Sequence, residues 1–401
     1  MISVGIDVSK GKSTVFICKP YGEIVYSPFE VKHTEKGLSE LATMLKLFNE
    51  ETKVVMESTG NYHYPILLYL LKQGIFVSVI NSLAMHKYVN YSLRSAKTDK
   101  IDSIKIANYG IDNWYKLKKY QIQDNNYYQL QLLGRQYSHY MEMRIKEYLY
   151  FYSILEQVLP DIKKLICSTN PTRFERDKLL DFVEKYWHFD IILELSEYEF
   201  VEDYLNWCRE KGYQASQSKA STIYELAKQG ITTLISKNLN TKQMIMESVG
   251  VLKRINKTLT SILSQMDEYA KKMPEYSEVR KMGGVGEKLA AKLIAEIGDV
   301  RRFHSAKALI AYAGIDSPPY QSGQYLGAKR RISKRGSPLL RKIGYEVMKN
   351  LKSHSKPDDD AVYLYILKKE QEGKPKKVAK IAGLNKFLRI YYARVKAVYS
   401  E

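Results

Sequence analysis

An aspartate stands inside a β-branched run almost at the start of the chain, Gly5-Ile6-Asp7-Val8-Ser9-Lys10. A carboxylate in an apolar strand carries a desolvation cost unless a cation or hydrogen-bond donors meet it. A fold that contains this strand must therefore bring a partner such as a metal ion to Asp7, or place it at a strand end where it caps a turn. The surrounding pattern supports the strand. Residues 2–8, 13–19 and 23–31 alternate or run apolar, with Lys10-Gly11-Lys12 and Pro20-Tyr21-Gly22-Glu23 as turns, which predicts a three-stranded antiparallel meander.

Three more acids follow. Glu57 ends an apolar run, Lys53-Val54-Val55-Met56-Glu57, where it meets Ser58-Thr59-Gly60. Asp99 and Asp102 open what reads as a helix, Lys97-Thr98-Asp99-Lys100-Ile101-Asp102, with Thr98 placed to cap it. Spacing of i, i+3 puts both carboxylates on one helix face, roughly 5–6 Å apart at Cβ. Asp7, Glu57, Asp99 and Asp102 make an oxygen-only set suited to hard cations, and hence to two Mg2+ ions clamping a phosphodiester. The alternative for the helical pair is that its carboxylates satisfy N-terminal amides.

Sixty-three Lys and Arg against 44 Asp and Glu leave a formal charge of +19, which predicts a polyanion partner. No polybasic amphipathic anchor is evident, and the apolar stretch from Ile66 to Ile80 is broken by Lys72-Gln73-Gly74, so no membrane role is expected. Cys18, Cys167 and Cys208 lie far apart and the seven histidines fall in no metal-binding spacing, which argues against zinc. A cytoplasmic protein with reduced thiols is the expectation. The 33 tyrosines can stack on bases, but they also serve as ordinary amphipathic residues.

After the meander, helices are expected at about 34–49, 62–73 and 82–91, with strands at Glu57 and over Ile75–Ile80, before the Asp99 helix. This is an α/β domain, bounded at 1–115. From 116 to 275 the pattern turns helical. Residues 126–157 and 240–272 carry apolar positions at helical spacing and read as two arms of an antiparallel coiled coil or helical hairpin, with Trp187 and Trp207 anchoring shorter helices between them. A plain helical domain is the alternative reading of this region.

The segment 276–355 begins with Met282-Gly283-Gly284-Val285-Gly286 ahead of a helix at Leu289–Ile297 and another starting near Ser305, which suggests a helix-hairpin-helix. Such a turn lets backbone amides approach a phosphate, although glycine turns before helices also arise for geometric reasons. A turn-rich loop, 311–327, then runs into Ala328-Lys329-Arg330-Arg331-Ile332-Ser333-Lys334-Arg335-Gly336-Ser337. Between Gly327 and Ser353 nine basic residues, among them Lys329, Arg330, Arg331, Lys334, Arg335, Arg341 and Lys342, face one acid, Glu346. That is a phosphate-binding footprint with a helix, 338–351, behind it. Residues 356–401 form a basic helical tail, with 356–360 capping a helix at Ala361–Glu370.

The strand and helix order with acids on the first strand, a later strand and a closing helix resembles the ribonuclease H-like fold in its RuvC-like branch. Gly5-Ile6-Asp7-Val8-Ser9-Lys10, Glu57-Ser58-Thr59-Gly60-Asn61-Tyr62 and Lys97-Thr98-Asp99-Lys100-Ile101-Asp102 are similar to motifs of the DEDD transposases of bacterial insertion sequences, the family often called IS one-ten, with its Piv-type invertases. The stretch from the Ser-Gly pair at Ser322 to Ile332-Ser333-Lys334-Arg335-Gly336 resembles the C-terminal domain of the same family. The resemblance implies a RuvC-like catalytic domain, a central coiled coil serving assembly, and a C-terminal transposase domain whose nucleophile is Ser322, with Ser317, Ser333 and Ser337 as local rivals. It implies Mg2+ held by the four acids and a phosphoserine intermediate. Donor and target DNA are the substrates it implies, with a structured noncoding guide (bridge) RNA and a dimer or tetramer with composite sites. Two rivals stay open: a RuvC-like hydrolytic junction nuclease in which water attacks, and a non-catalytic nucleic-acid-binding protein whose acids only cap helices.

Overall fold

The computed structural model describes residues 1–89, 98–122, 124–166, 174, 176–317, 321–322, 325–326, 331–354 and 360–400. The chain divides into two compact units, Met1–Ile122 and Gln123–Glu401.

The first unit is a five-stranded mixed sheet. β1 (Ile2–Ser9), β2 (Lys12–Cys18) and β3 (Ile24–Lys32) form the expected meander, and β4 (Thr52–Glu57) and β5 (Val77–Ile80) add in parallel to give the order β3-β2-β1-β4-β5. Between them lie α1 (Glu35–Lys46) and α2 (Tyr64–Lys72), followed by α3 (Ser82–Val89) and α4 (Asp99–Asp112). The period-2 rule sorts the strand residues cleanly. Ile2, Val4, Ile6 and Val8 of β1 and Val54 and Met56 of β4 share one core with Leu38 and Leu41 of α1 and Ile66, Leu67 and Leu70 of α2. The opposite face meets α4: Ser3 Oγ donates to Ala107 O at 2.8 Å, and Val55 packs with Met85 and Ile106. Thr34 and Thr98 cap α1 and α4 through Gly37 N and Ile101 N.

Among its described residues the second unit is helical apart from one small hairpin. Its frame is α5 (Asn125–Val158, 34 residues) against α11 (Leu239–Lys271, 33 residues), each about 50 Å long at 1.5 Å per residue. They run antiparallel, as two cross-links show: Arg144 Nε donates to Asn256 Oδ1 at 2.6 Å and Ser248 Oγ to Glu147 Oε1 at 2.7 Å. Between them come α6 (Ile162–Leu165), α7 (Lys178–Lys185), α8 (Phe189–Leu193), α9 (Glu197–Glu210) and α10 (Gln217–Gln229). These pack on the C-terminal part of α5 and the N-terminal part of α11, with Trp187 and Trp207 buried among them as expected. After α11 follow α12 (Tyr276–Arg280), α13 (Glu287–Ile297), α14 (Ala306–Ala313), β6 (Gln321–Ser322), β7 (Tyr325–Leu326), α15 (Pro338–His354), α16 (Ala361–Gln371) and α17 (Lys376–Val398).

The other ends of α5 and α11 enter a second core with these later elements. Leu130, Met266, Leu293, Ile294, Leu340, Val347, Phe387 and Leu388 all belong to it. The basic final helix is thus part of that core through one face and solvated through the other. The turn-rich loop also differs from a plain loop, since Ser322 pairs with Tyr325 and Gln321 with Leu326 in an antiparallel hairpin. Cys18 and Cys208 are buried and unpaired, and Cys167 lies outside the described residues. Among the described residues no helix is long and apolar enough to cross a membrane.

Candidate active site

The parallel register pairs Ile6 of β1 with Met56 of β4. One step further along both strands stand Asp7 and Glu57, side by side at the C-terminal ends of neighbouring strands. Because Ile6 and Met56 face α1 and α2, alternation turns Asp7 and Glu57 to the other face, the one α4 covers.

Two glycines set how closely α4 lies on that face. A Cβ on Gly5 would stand 2.2 Å from Ser103 O and 2.3 Å from Ala107 N. One on Gly110 would stand 2.2 Å from Ser3 Oγ and 2.9 Å from Val55 Cγ2. Along β1, Ser3 meets Ala107 and Gly110, and Gly5 meets Ser103 and Ala107, so α4 runs antiparallel to the strand. Its first turn, with Asp99 and Asp102, therefore comes to the end of β1 that carries Asp7. A further sign is Lys12, at the start of β2, whose pKa is raised mainly by its hydrogen bond to Glu30 and also by the charge of Asp99.

All four acids thus belong to one end of one sheet face. Asp7, Glu57 and Asp102 are half-buried and Asp99 is exposed. Asp102 Oδ1 lies 3.6 Å from Lys105 Nζ, an i, i+3 ion pair that balances one carboxylate from within α4. Among the described residues no three His, Cys, Asp or Glu side chains are gathered closely enough to hold a metal ion. In kind the donors suit a hard divalent cation: carboxylate oxygens only, on two strand ends and a helix start.

Sequence reasoning missed the small residues Ser3, Gly5 and Gly110. The alternation Ser3-x-Gly5-x-Asp7 was the available signal, because a small-residue stripe on one strand face marks close approach of another backbone.

In the second unit the segments flanking the hairpin are tied together. Ser333 N donates to Asp316 O at 2.8 Å, Lys334 N to Gly314 O at 2.9 Å and Ser337 N to Tyr312 O at 2.6 Å. This pairing has the same antiparallel sense as Ser322 with Tyr325, so Ser322 stands on the hairpin while the basic signature lies toward α14 and α15. The rival serines are engaged in structure. Ser337 Oγ donates to Glu296 Oε1 at 2.5 Å and accepts from Leu340 N at 3.0 Å, capping α15. Ser333 Oγ bonds the Asp316 carboxylate, and Ser317 Oγ donates to Arg331 O at 3.5 Å.

Of the basic signature, Arg331, Lys334, Arg335 and Lys342 are exposed, Lys334 with φ +54°. Arg341 is spent on the backbone, its Nη1 donating to Ala313 O at 3.0 Å and Gly336 O at 3.2 Å. Lys329 and Arg330 lie outside the described residues.

The glycine turn between α12 and α13 has a packing reason of its own. A Cβ on Gly283 would stand 2.1 Å from Asp360 Oδ2, and Gly284, at φ +77°, would bring one 2.6 Å from Val347 O. Gly286 alone faces open space, at the N-cap of α13, where no side chain caps the helix.

Known protein families match two segments of the chain, one from near its start and one that includes the hairpin. Residues 4–160 match a family model described as "Transposase", and residues 276–364 match one described as "Transposase IS116/IS110/IS902 family". The chain is 22% identical over 397 residues to the pilin gene-inverting protein of Moraxella bovis, covering 98% of this chain and 95% of that one. It is 23% identical over 367 residues to the corresponding protein of Moraxella lacunata, covering 91% and 87%. It is 27% identical over 137 residues to the transposase for insertion sequence element IS1111A of Coxiella burnetii, covering 30% and 36%. The first match spans the acid-bearing sheet and runs on through α5, the second spans the hairpin that carries Ser322, and the chain belongs to the IS110 family of DEDD transposases, enzymes that recombine DNA.

Proposed function

We propose that this transposase cuts and rejoins DNA strands through a covalent bond to Ser322, with Asp7, Glu57, Asp99 and Asp102 holding two Mg2+ ions beside the scissile phosphate. The observation that carries this reading is the delivery of the first turn of α4 onto the strand ends of Asp7 and Glu57. When bound, Mg2+ would neutralise phosphate charge and favour the alkoxide form of an attacking oxygen.

The Ser322 oxygen attacks phosphorus, loses its proton and forms a new phosphoester bond, while the sugar oxygen departs and takes up a proton. The number of phosphoester bonds is unchanged, so a second sugar hydroxyl can reverse the exchange without a high-energy cofactor. Arg331, Lys334, Arg335 and Lys342, with Lys329 and Arg330, supply positive charge for the DNA backbone and for the phosphorane, while Arg341 holds the segment through Ala313 O and Gly336 O. Ser322 is favoured over its rivals because Ser333 and Ser337 already hold Asp316 and Glu296. The open N-terminus of α13 at Gly286 supports a phosphate contact of helix-hairpin-helix type.

The acids and Ser322 belong to different units, so the reaction needs the two brought together, within one subunit or between subunits of a dimer or tetramer. A noncoding guide RNA pairing with donor and target DNA supplies sequence choice, with the protein reading backbone and shape. The relatives named for inverting a pilin gene fit a protein that rearranges DNA.

The test is to express the protein in cells with its flanking noncoding DNA and a target plasmid, lyse under denaturing conditions, and sequence DNA covalently attached to it. An adduct is expected from the wild type and from neither Ser322→Ala nor Asp7→Ala. Cleavage that depends on Mg2+ and Asp7 without any adduct would leave a hydrolytic nuclease. No cleavage and no adduct from the wild type, with nucleic-acid binding unchanged in Asp7→Ala and Glu57→Ala, would leave a protein that only binds nucleic acid.

A further inference from the structure

The final helix lies beyond both segments matched by the family models, and it carries a surface of unusual composition. Lys376–Val398 contains seven Lys or Arg and no acid. Its apolar stripe, Leu384, Phe387, Leu388, Tyr391 and Val395, is buried, so its cations occupy the remaining faces. Some of these already have partners: Arg394 Nε lies 2.9 Å from Glu278 Oε1, and Lys380 stands over the Tyr345 ring.

Lys386, which stands over the Tyr365 ring, and Arg389 lie together at one place on this surface. Among the described residues no ion pair takes up either one. Together with Ala382, Asn385 and, from α16, Tyr365, they line an open pocket of about 480 Å3. The spacings 382, 385, 386 and 389 place the four α17 residues on one helical face, opposite Tyr365. The Lys386 and Lys369 ammonium groups stand 5.1 and 5.3 Å from the centroid of the half-buried Tyr365 ring. Asn385 Oδ1 accepts from Arg389 Nε at 3.0 Å, which leaves the amide NH2 of Asn385 as a donor toward the pocket. Among the described residues, Lys369 is the only one of these cations with a carboxylate, Glu372 at 2.7 Å.

We propose that the pocket between α16 and α17 binds one unpaired nucleotide of a nucleic-acid strand, its base against Tyr365 and its phosphate on Lys386 and Arg389. The chemistry is that of single-strand recognition, where an aromatic face takes a splayed base and flanking cations take the backbone. A volume near 480 Å3 falls within the range of about 300–1,000 Å3 found for small-molecule sites. Double-stranded nucleic acid offers no free base face, so the pocket discriminates unpaired from paired strands. It does so apart from the basic signature around Arg331–Lys342, whose exposed cations have no ring among them.

The test uses the full chain and fluorescent oligonucleotides, as RNA and as DNA, each single-stranded or annealed to its complement. Tyr365→Ala is expected to weaken single-strand binding about tenfold while duplex binding changes less than about twofold. Lys386→Ala with Arg389→Ala is expected to reduce the slope of log K against log salt by about 1.4 for single strands. A loss in either the RNA or the DNA arm supports the site, and the arm identifies the strand. Unchanged single-strand binding, or an equal loss for duplex, overturns it. Should Tyr365→Ala fail to fold, photo-crosslinking of 4-thiouridine oligonucleotides to the wild type decides: adducts in 361–371 or 376–398 support the pocket, and adducts confined elsewhere overturn it.

Discussion

A methyl group added at Gly5 would meet the backbone of α4 at 2.2 and 2.3 Å, with no flexible side chain able to yield. The helix must move away from β1, taking Asp99 and Asp102 with it. Gly5→Ala is therefore expected to cost about 1–3 kcal/mol in urea unfolding. It should also raise the Mg2+ concentration needed for half-maximal DNA cleavage at least severalfold. A stable variant with an unaltered metal requirement would show that α4 does not set the spacing of the acids. Ser337 and Ser322 separate structure from chemistry in the same way. Ser337→Ala removes the cap on Leu340 N and the donor to Glu296, costing about 1–2 kcal/mol while leaving the covalent DNA adduct in place. Ser322→Ala is expected to do the reverse, and loss of the adduct in Ser337→Ala at full stability would exchange their roles.

At the scale of elements, the loop from β4 to α2 joins the Glu57 strand to a buried histidine. His63 is 5% exposed, stacks on Tyr64 and leaves its Nδ1 without a hydrogen-bond partner. Burial lowers its pKa, and that of His33, below the ordinary 6.5. The unfolded chain then takes up protons first as pH falls. The stability these two residues contribute is complete above pH 6.5 and declines as pH drops from 6.5 through their folded values, by at most one proton each. Urea midpoints of the first unit between pH 7.5 and 5 should show the fall, and His33→Gln with His63→Gln should flatten it. Elements governed by local chemistry were legible in the sequence: the Thr98 cap, the i, i+3 pair Asp99 and Asp102, and the three-strand meander. The close seating of α4 was not, because Gly5 and Gly110 acquire meaning only when β1 and α4, about a hundred residues apart, are known to touch. The hairpin at Ser322 escaped for another reason: Gln-Ser and Tyr-Leu are too short a run to show alternation.

For the whole molecule, the division into Met1–Ile122 and Gln123–Glu401 has an energetic counterpart, since the described core clusters draw their residues from one unit or the other. A segment of 122 residues with its own sheet, whose strands β1 and β4 are buried, is large enough to fold alone. Met1–Ile122 expressed by itself is expected to unfold cooperatively and to form no covalent DNA adduct, because Ser322 is absent from it. Within the full chain, Phe387→Ala should remove about 3–5 kcal/mol from the second unit by opening a cavity beside Leu388 and Tyr391. Hydrogen exchange followed along the chain would then show faster exchange in α13, α15 and α17 with β1, β4 and α4 unchanged. Gly5→Ala should give the mirror-image pattern. If either substitution loosened both units equally, or the isolated first unit failed to fold, the two halves of the transposase would form one cooperative body. Acids and serine would then be stabilised together instead of meeting as separately folded parts.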